Sequence, residues 1–229
     1  MTWRAVPFGR ITMFSQHGIE PSFTDRREAG RALAPEIAAL DLTDPLILAL
    51  PRGGVPVARE VATALGAQLD LLLVRKIGAP GQSEYGLGAV AEGSRPQLVV
   101  SEEVMRLVDP PAGYLEAEQE RQLAEIERRR LSLRGGRQPV PVKGRVCVVV
   151  DDGVATGNTA RAAIRALRLE GAARIILAVP VAPPDVIESL AQDADMLICL
   201  KTPEPFLAVS LHYRHFGQLG DEQVVELLG

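Results

Sequence analysis

The stretch Val146-Cys147-Val148-Val149-Val150-Asp151-Asp152-Gly153-Val154-Ala155-Thr156-Gly157-Asn158-Thr159 carries most of what the chain says about itself. Five consecutive apolar residues spell a buried parallel strand covered on both faces. Two carboxylates stand at its end, and from Ala160 to Leu169 apolar positions recur at helical spacing. A strand that turns into a helix in this way can aim several backbone N–H groups between Gly153 and Thr159 at one point. There the unpaired donors of the helix N-terminus and its dipole favour a phosphate. Thr156 and Thr159 add hydroxyl donors. Asp151 and Asp152 fall at the carboxyl end of the strand, where open α/β sheets bind ligands, and suit a vicinal diol such as a ribose.

Two other phosphate motifs do not fit. A Walker loop needs a lysine, and none lies between Lys143 and Lys201; Gly153 and Gly157 lack the spacing of a dinucleotide fingerprint. What the stretch resembles is the phosphoribosylpyrophosphate (PRPP) loop of the type I phosphoribosyltransferases: a hydrophobic strand, two acids, then Thr-Gly-x-Thr. The resemblance implies an enzyme that moves the 5-phosphoribosyl group of PRPP to a nucleobase, releases pyrophosphate and uses Mg²⁺. It implies that Ala155, Thr156, Gly157, Asn158 and Thr159 hold the 5′-phosphate. Asp151 and Asp152 would hold the ribose hydroxyls and, through water, the metal.

Length and composition agree with this. A chain of 229 residues can bury one sizeable α/β core. No apolar run approaches a membrane span and no secretory signal opens the chain, so a cytoplasmic protein without membrane contact is expected. A net charge of -4 argues against a broad nucleic-acid surface. Cys147 and Cys199 each lie in an apolar run and read as small core residues.

Strands and helices alternate along the chain, which predicts a mostly parallel sheet flanked by helices. A helix is expected from Arg26 to Leu40 behind Asp25 as its N-cap, then a strand at Leu46 to Leu50, a helix at Val55 to Leu65 and a strand at Leu69 to Val74. A β-like run at Gln97 to Ser101 precedes a charged helix over 112–133. After the central strand and its helix come a strand at Arg174 to Val181, a helix at Pro184 to Gln192 and a strand at Met196 to Leu200. The core is thus expected over residues 23–200, with 1–22 and 201–229 contributing a small hood subdomain.

The first strand ends in Leu50-Pro51-Arg52-Gly53-Gly54, a turn with two glycines and one cation. Glycines let backbone donors approach an anion, and arginine binds phosphate oxygens bidentately. This is the place where phosphoribosyltransferases carry a pyrophosphate loop, often with a strained cis peptide, expected here at Arg52-Gly53. Arg75 and Lys76 open a glycine-rich segment, 75–93, that reads as a mobile lid over a polyphosphate. It resembles the flexible loop of adenine phosphoribosyltransferases, with Arg75-Lys76-x-Gly78, Pro80-Gly81 and Glu84-Tyr85-Gly86, though the spacing before Glu84 is tighter. The resemblance makes Arg52, Gly53, Gly54, Arg75 and Lys76 pyrophosphate ligands, and Lys76 and Glu84 catalytic alongside the two aspartates.

Ala155 replaces the aspartate that 6-oxopurine enzymes use for proton exchange, which favours adenine or another purine as acceptor. The tail segment with Leu200, Lys201, Phe206 and Tyr213 is loosely similar to the part of 6-oxopurine enzymes that covers the base. Similarity extends also to poorly characterised bacterial phosphoribosyltransferase-like proteins. The alternative is a PRPP- or nucleotide-sensing regulator with little turnover. A homo-oligomer is compatible with either reading. In the charged helix, Glu125 with Arg129 and Glu127 with Arg130 stand at pairing distance on a solvated face. Arg128, Arg129, Arg130, Arg134 and Arg137 could alternatively turn a basic end toward the phosphates.

Overall fold

The computed structural model describes residues 11–13, 21–92, 97–100, 102–135 and 137–229. Six parallel strands form the main sheet, in the order β1 (Ile11–Met13), β9 (Met196–Lys201), β8 (Arg174–Val181), β7 (Val146–Val150), β2 (Leu46–Ala49) and β3 (Gln68–Leu71). Alternation along the strands sends side chains into two cores. Leu46, Leu48, Cys147, Val149, Ile175 and Leu177 pack with α5 (Asn158–Leu169) and α6 (Pro184–Leu190) on one face. Ile47, Ala49, Val148, Val150 and Ile176 pack with α1 (Arg26–Ala38) and α2 (Gly54–Leu65) on the other. Burial on both faces explains why these strands read as unbroken apolar runs. Both cysteines are free and buried among them. The Asp25 carboxylate caps α1 by accepting from the Glu28 N–H at 2.8 Å.

The winding positions the site. From β2 the chain passes through α2 to β3; from β7 it passes the other way, through α5 to β8 and through α6 to β9. Because β2 and β7 are neighbours, the sheet's switch point lies between their carboxyl ends, where a crevice forms. No helix among the described residues is long and apolar enough to cross a membrane.

The strand expected over Leu69 to Val74 divides. Its first part is β3; Val74 begins β4 (Val74–Ala79), which pairs antiparallel with β5 (Gln82–Ala91), itself paired with β6 (Gln97–Val100). The segment read as a mobile lid over 75–93 takes the form of a hairpin: residues 74–79 and 82–91 are strands joined at Pro80-Gly81, and 93–96 lie outside the described residues. The described glycines there serve different ends: Gly81 turns the hairpin at φ 72°, and Gly88 permits close strand approach. A Cβ on Gly88 would stand 2.1 Å from the Val99 carbonyl oxygen, and Gly78 and Gly86 face each other at a register shift.

No periodicity announces α3 (Glu102–Val108), whereas the charged helix appears as α4 (Tyr114–Arg134). Arg134 does not belong to a solvated basic end. Its side chain is 2% exposed and reaches Asp70 Oδ1 at 3.0 Å, Glu92 Oε2 at 2.8 Å and the Leu71 carbonyl. Burial opposes its charge, but Glu92 and Asp70 outweigh that and hold its pKa above the usual value. This network ties the end of α4 to the junction where the chain leaves one sheet for the other. Beyond β9, a 3₁₀ turn (Val209–His212) and α7 (Asp221–Leu228) complete the tail.

Candidate active site

Asp151 and Asp152 leave β7 at the switch point, and Gly157 opens α5 in the left-handed region at φ 79°, where a side chain would be strained. Ala155 and Thr156 are exposed, and Asn158 and Thr159 half-buried. Arg161 N–H already bonds back to the Gly157 carbonyl at 2.8 Å. The N–H groups of residues 155–159 precede that first helical bond and donate to no described residue. The segment read as a phosphate cradle thus has the form of a strand, an acidic turn and an open helix start.

The loop after β2 packs directly against it. A Cβ on Gly53 would stand 2.1 Å from Asp152 Oδ2, and one on Gly54 would stand 2.5 Å from the Val150 carbonyl oxygen and 2.9 Å from Asp151 Cα. Only glycine permits this approach at both positions. Arg52 is exposed beside them, with Nη1 3.5 Å from Asp221 Oδ1. A cis peptide is present, but at Pro51–Arg52, one bond earlier than expected. Gly53 already has helical backbone angles, φ -60° and ψ -39°, so the turn is completed before it.

The hairpin closes the other side. Gly86 on β5 faces Lys76 and Asn158, whose Cε and Nδ2 would lie 2.9 and 3.2 Å from a Cβ there. Lys76 is therefore beside the cradle. Arg75, its neighbour on β4, points to the opposite face, where its Nε donates to Gln122 Oε1 of α4 at 3.0 Å. Grouping Arg75 with Lys76 on one surface is corrected accordingly. Glu84 and Tyr85 lie on β5, but their side chains are outside the described residues.

Arg26 is a site residue that sequence reasoning missed. Its Nε donates to Asp152 Oδ2 at 2.7 Å, Nη1 donates to the Gly217 carbonyl at 2.9 Å, and its guanidinium carbon lies 3.7 Å from the centre of the Phe216 ring. A single arginine in the first turn of a helix has no pattern that announces such a contact. Desolvation raises the Asp151 pKa well above the usual carboxylate value, and the Asp152 charge adds to the rise. Desolvation also raises Asp152, with Arg26 working against it. Two desolvated carboxylates thus face one guanidinium.

The base-covering residues fare less well. Tyr213 is buried, packs against Phe23 and Phe216, and donates its hydroxyl to the Asp152 carbonyl, so it braces the acidic turn and offers no free ring face. Leu200 is buried in the core, Lys201 is half-buried at the end of β9, and Phe206 stacks on His212.

The model of the family described as "Phosphoribosyl transferase domain" matches residues 24–210. The chain belongs to this family. A Mycobacterium tuberculosis protein bearing the name "Putative phosphoribosyl transferase" is 46% identical over 207 residues, covering 90% of this chain and 46% of the relative. The chain therefore spans about half the length of the curated relatives it matches. The crystal structure of TT1426 from Thermus thermophilus is similar over 90% of this chain and 97% of that one, at 46% identity and a TM-score of 0.76. The parallel sheet and its helices are the fold of the phosphoribosyl transferase family, as the sequence motif implied.

Proposed function

We propose that this phosphoribosyl transferase domain transfers the 5-phosphoribosyl group of PRPP to a nucleobase and releases pyrophosphate. The observation that carries the reading is the meeting of three segments at the switch point: Gly53 against Asp152, and Gly86 with Lys76 against Asn158. The N–H groups and hydroxyls of residues 155–159 bind the 5′-phosphate, Asp151 and Asp152 accept from the ribose hydroxyls, and Arg52, Gly53, Gly54 and Lys76 bind the pyrophosphate. A nucleobase nitrogen forms its bond to C1 as the bond from C1 to the pyrophosphate oxygen breaks, and positioning with charge neutralisation does most of the work.

Among the described residues no group of three or more His, Cys, Asp or Glu could hold a metal. The donor set suits Mg²⁺ in another way: Asp151 and Asp152 are short of positive charge and can hold a hydrated cation whose other positions are water and substrate oxygens. When bound, Mg²⁺ neutralises charge developing on the leaving pyrophosphate.

Adenine is the proposed acceptor, because Ala155 cannot exchange a proton with a 6-oxopurine and the hairpin carries the adenine-type Arg-Lys-x-Gly. Pyrophosphate release on mixing PRPP and Mg²⁺ with adenine, hypoxanthine, guanine, uracil and orotate tests both levels. Release with adenine foremost is expected, and Glu84→Gln should then lower turnover by about 10²-fold or more, as loss of a general acid–base does. Release with another base replaces adenine; PRPP binding without release with any base would favour a regulator.

Gly53→Ala supplies a structural check. The added methyl cannot coexist with Asp152 at 2.1 Å, so the loop must shift. Overpacking of this kind costs about 1–3 kcal/mol. Affinity for PRPP, read by calorimetry, should fall by roughly tenfold; unchanged affinity would place the pyrophosphate loop elsewhere.

A further inference from the structure

Arg52 is the cation of the loop after β2, next to the two glycines that meet the acidic turn, and it already has an anionic partner. Its Nη1 stands 3.5 Å from Oδ1 of Asp221, the first residue of α7. The fold brings that carboxylate there for hydrophobic reasons. Val224 is fully buried in the core that Val55, Val57 and Val61 of α2 also form, so α7 packs on α2 and sets its own first turn beside the loop that opens α2. On its other side α7 packs against α4, where the Ser132 hydroxyl lies 3.4 Å from Asp221 Oδ2.

The contact has the properties of a replaceable one. At 3.5 Å it is longer than a charge-assisted hydrogen bond. The two side chains are 41% and 40% exposed, so water and other anions reach the pair, and pairs of this kind are weak. A pyrophosphate offers the same guanidinium more charge and a bidentate set of oxygens, so it can displace a single carboxylate. Asp221 also has somewhere to turn once displaced. Glu125 raises the Arg128 pKa and the charge of Asp221 adds to that rise, which places the Arg128 cation of α4 within the field of Asp221. Together with the Ser132 hydroxyl it can hold the released carboxylate.

We infer that Asp221 is a built-in competitor of the leaving pyrophosphate for Arg52. Its carboxylate occupies the guanidinium in the free protein, gives way when a diphosphate binds, and by returning limits how tightly the product is held. This rests on the transferase reading above, in which Arg52 binds the pyrophosphate, and deepens it by naming a group of the tail that sets the affinity for that product.

The experiment compares two probes by calorimetry in Mg²⁺: inorganic pyrophosphate, and ribose 5-phosphate, which carries no diphosphate. Asp221→Asn should strengthen pyrophosphate binding by about 3- to 5-fold, the scale of an exposed ion pair, and leave ribose 5-phosphate unchanged. Made on top of Arg52→Gln, the same substitution should no longer alter pyrophosphate affinity, because the double-mutant cycle isolates the coupling between the two side chains. Glu222→Gln, which removes an exposed charge from the same turn of α7, should leave both probes unchanged. Three results overturn the inference and leave the transferase reading in place: unchanged pyrophosphate affinity in Asp221→Asn, a weakened one, which would make Asp221 a positioning residue for Arg52, or a gain that persists without Arg52. Arg52→Gln that leaves pyrophosphate affinity unchanged overturns the inference together with the assignment of Arg52. Wild-type protein that binds neither probe overturns the inference and the transferase reading alike.

Discussion

Replacing Arg134 with methionine is expected to destabilise the protein by about 3–5 kcal/mol, the usual consequence of removing one partner of a buried ion pair. Asp70 and Glu92, both with side chains only 11–12% exposed, would lose their shared cation. Each would keep backbone donors: Leu71 and Val140 for Asp70, and Leu73 for Glu92. Those bonds were arranged for a carboxylate already compensated by a guanidinium, so they do not replace it. The Leu71 carbonyl would also lose its donor. Urea denaturation is the measurement, and adding Asp70→Asn with Glu92→Gln should recover part of the loss by removing the stranded charges. A cost below about 1 kcal/mol, the level of an exposed pair, would mean that solvent reaches the network. This junction sets the direction in which the chain leaves β3 for the hairpin, so the loss should extend to the placement of Lys76 and Arg75.

The fold was legible wherever burial dictated composition. Strands covered on both faces had to be apolar throughout, and β2, β7, β8 and β9 stand within a residue of where the runs Leu46 to Leu50, Val146 to Val150, Arg174 to Val181 and Met196 to Leu200 place them. The turn from β7 into α5 was legible because an acidic strand end and a glycine-opened helix start constrain several adjacent residues at once. The hairpin was not, because glycine has two uses that composition cannot separate: conformational freedom, and the absence of a side chain where backbones meet. Gly88 serves the second, and Gly86 likewise does without a side chain, there to leave room for those of Lys76 and Asn158. Arg75 and Lys76 read as one basic cluster, although neighbours in a strand point to opposite faces. Arg26, Arg134 and Tyr213 find their partners 126, 64 and 61 residues away, and pairings at that separation leave no local pattern.

Arg26 and Tyr213 nevertheless explain how the acidic turn is held. Arg26 secures the Asp152 carboxylate and Tyr213 its carbonyl, while Asp151 Oδ1 accepts from the Asp152 N–H at 2.8 Å. The tail therefore contributes to the site by bracing it from beneath, through Gly217 and Phe216 on Arg26 and Tyr213 on the backbone. The turn is braced at Asp152 by these bonds and poor in positive charge at Asp151, an arrangement that favours ligand over the free protein.

Asp151→Asn should therefore make the free protein more stable at neutral pH and a worse binder of PRPP. Asparagine keeps the Oδ1 acceptor for the Asp152 N–H and removes a charge that desolvation and Asp152 both disfavour. The sign follows from linkage. With a folded pKa raised above the unfolded one, Asp151 contributes its full stability below the usual carboxylate value near 3.8 and loses it as pH rises through the raised value. The melting-temperature gain of Asp151→Asn should thus be near zero at pH 3.8, grow on the way to neutrality, and level off once Asp151 is ionised in the folded wild type. PRPP affinity in Mg²⁺ should fall by about 10- to 100-fold, since a carboxylate acceptor for the ribose and a hydrated cation is worth about 1.5–3 kcal/mol more than a neutral stand-in. A variant less stable than wild type at pH 7, or a gain that does not change with pH, would show that Asp151 is already compensated in the free protein. In that case its charge would serve the fold, and the assignment of Asp151 to the ribose and the metal would lose its physical basis.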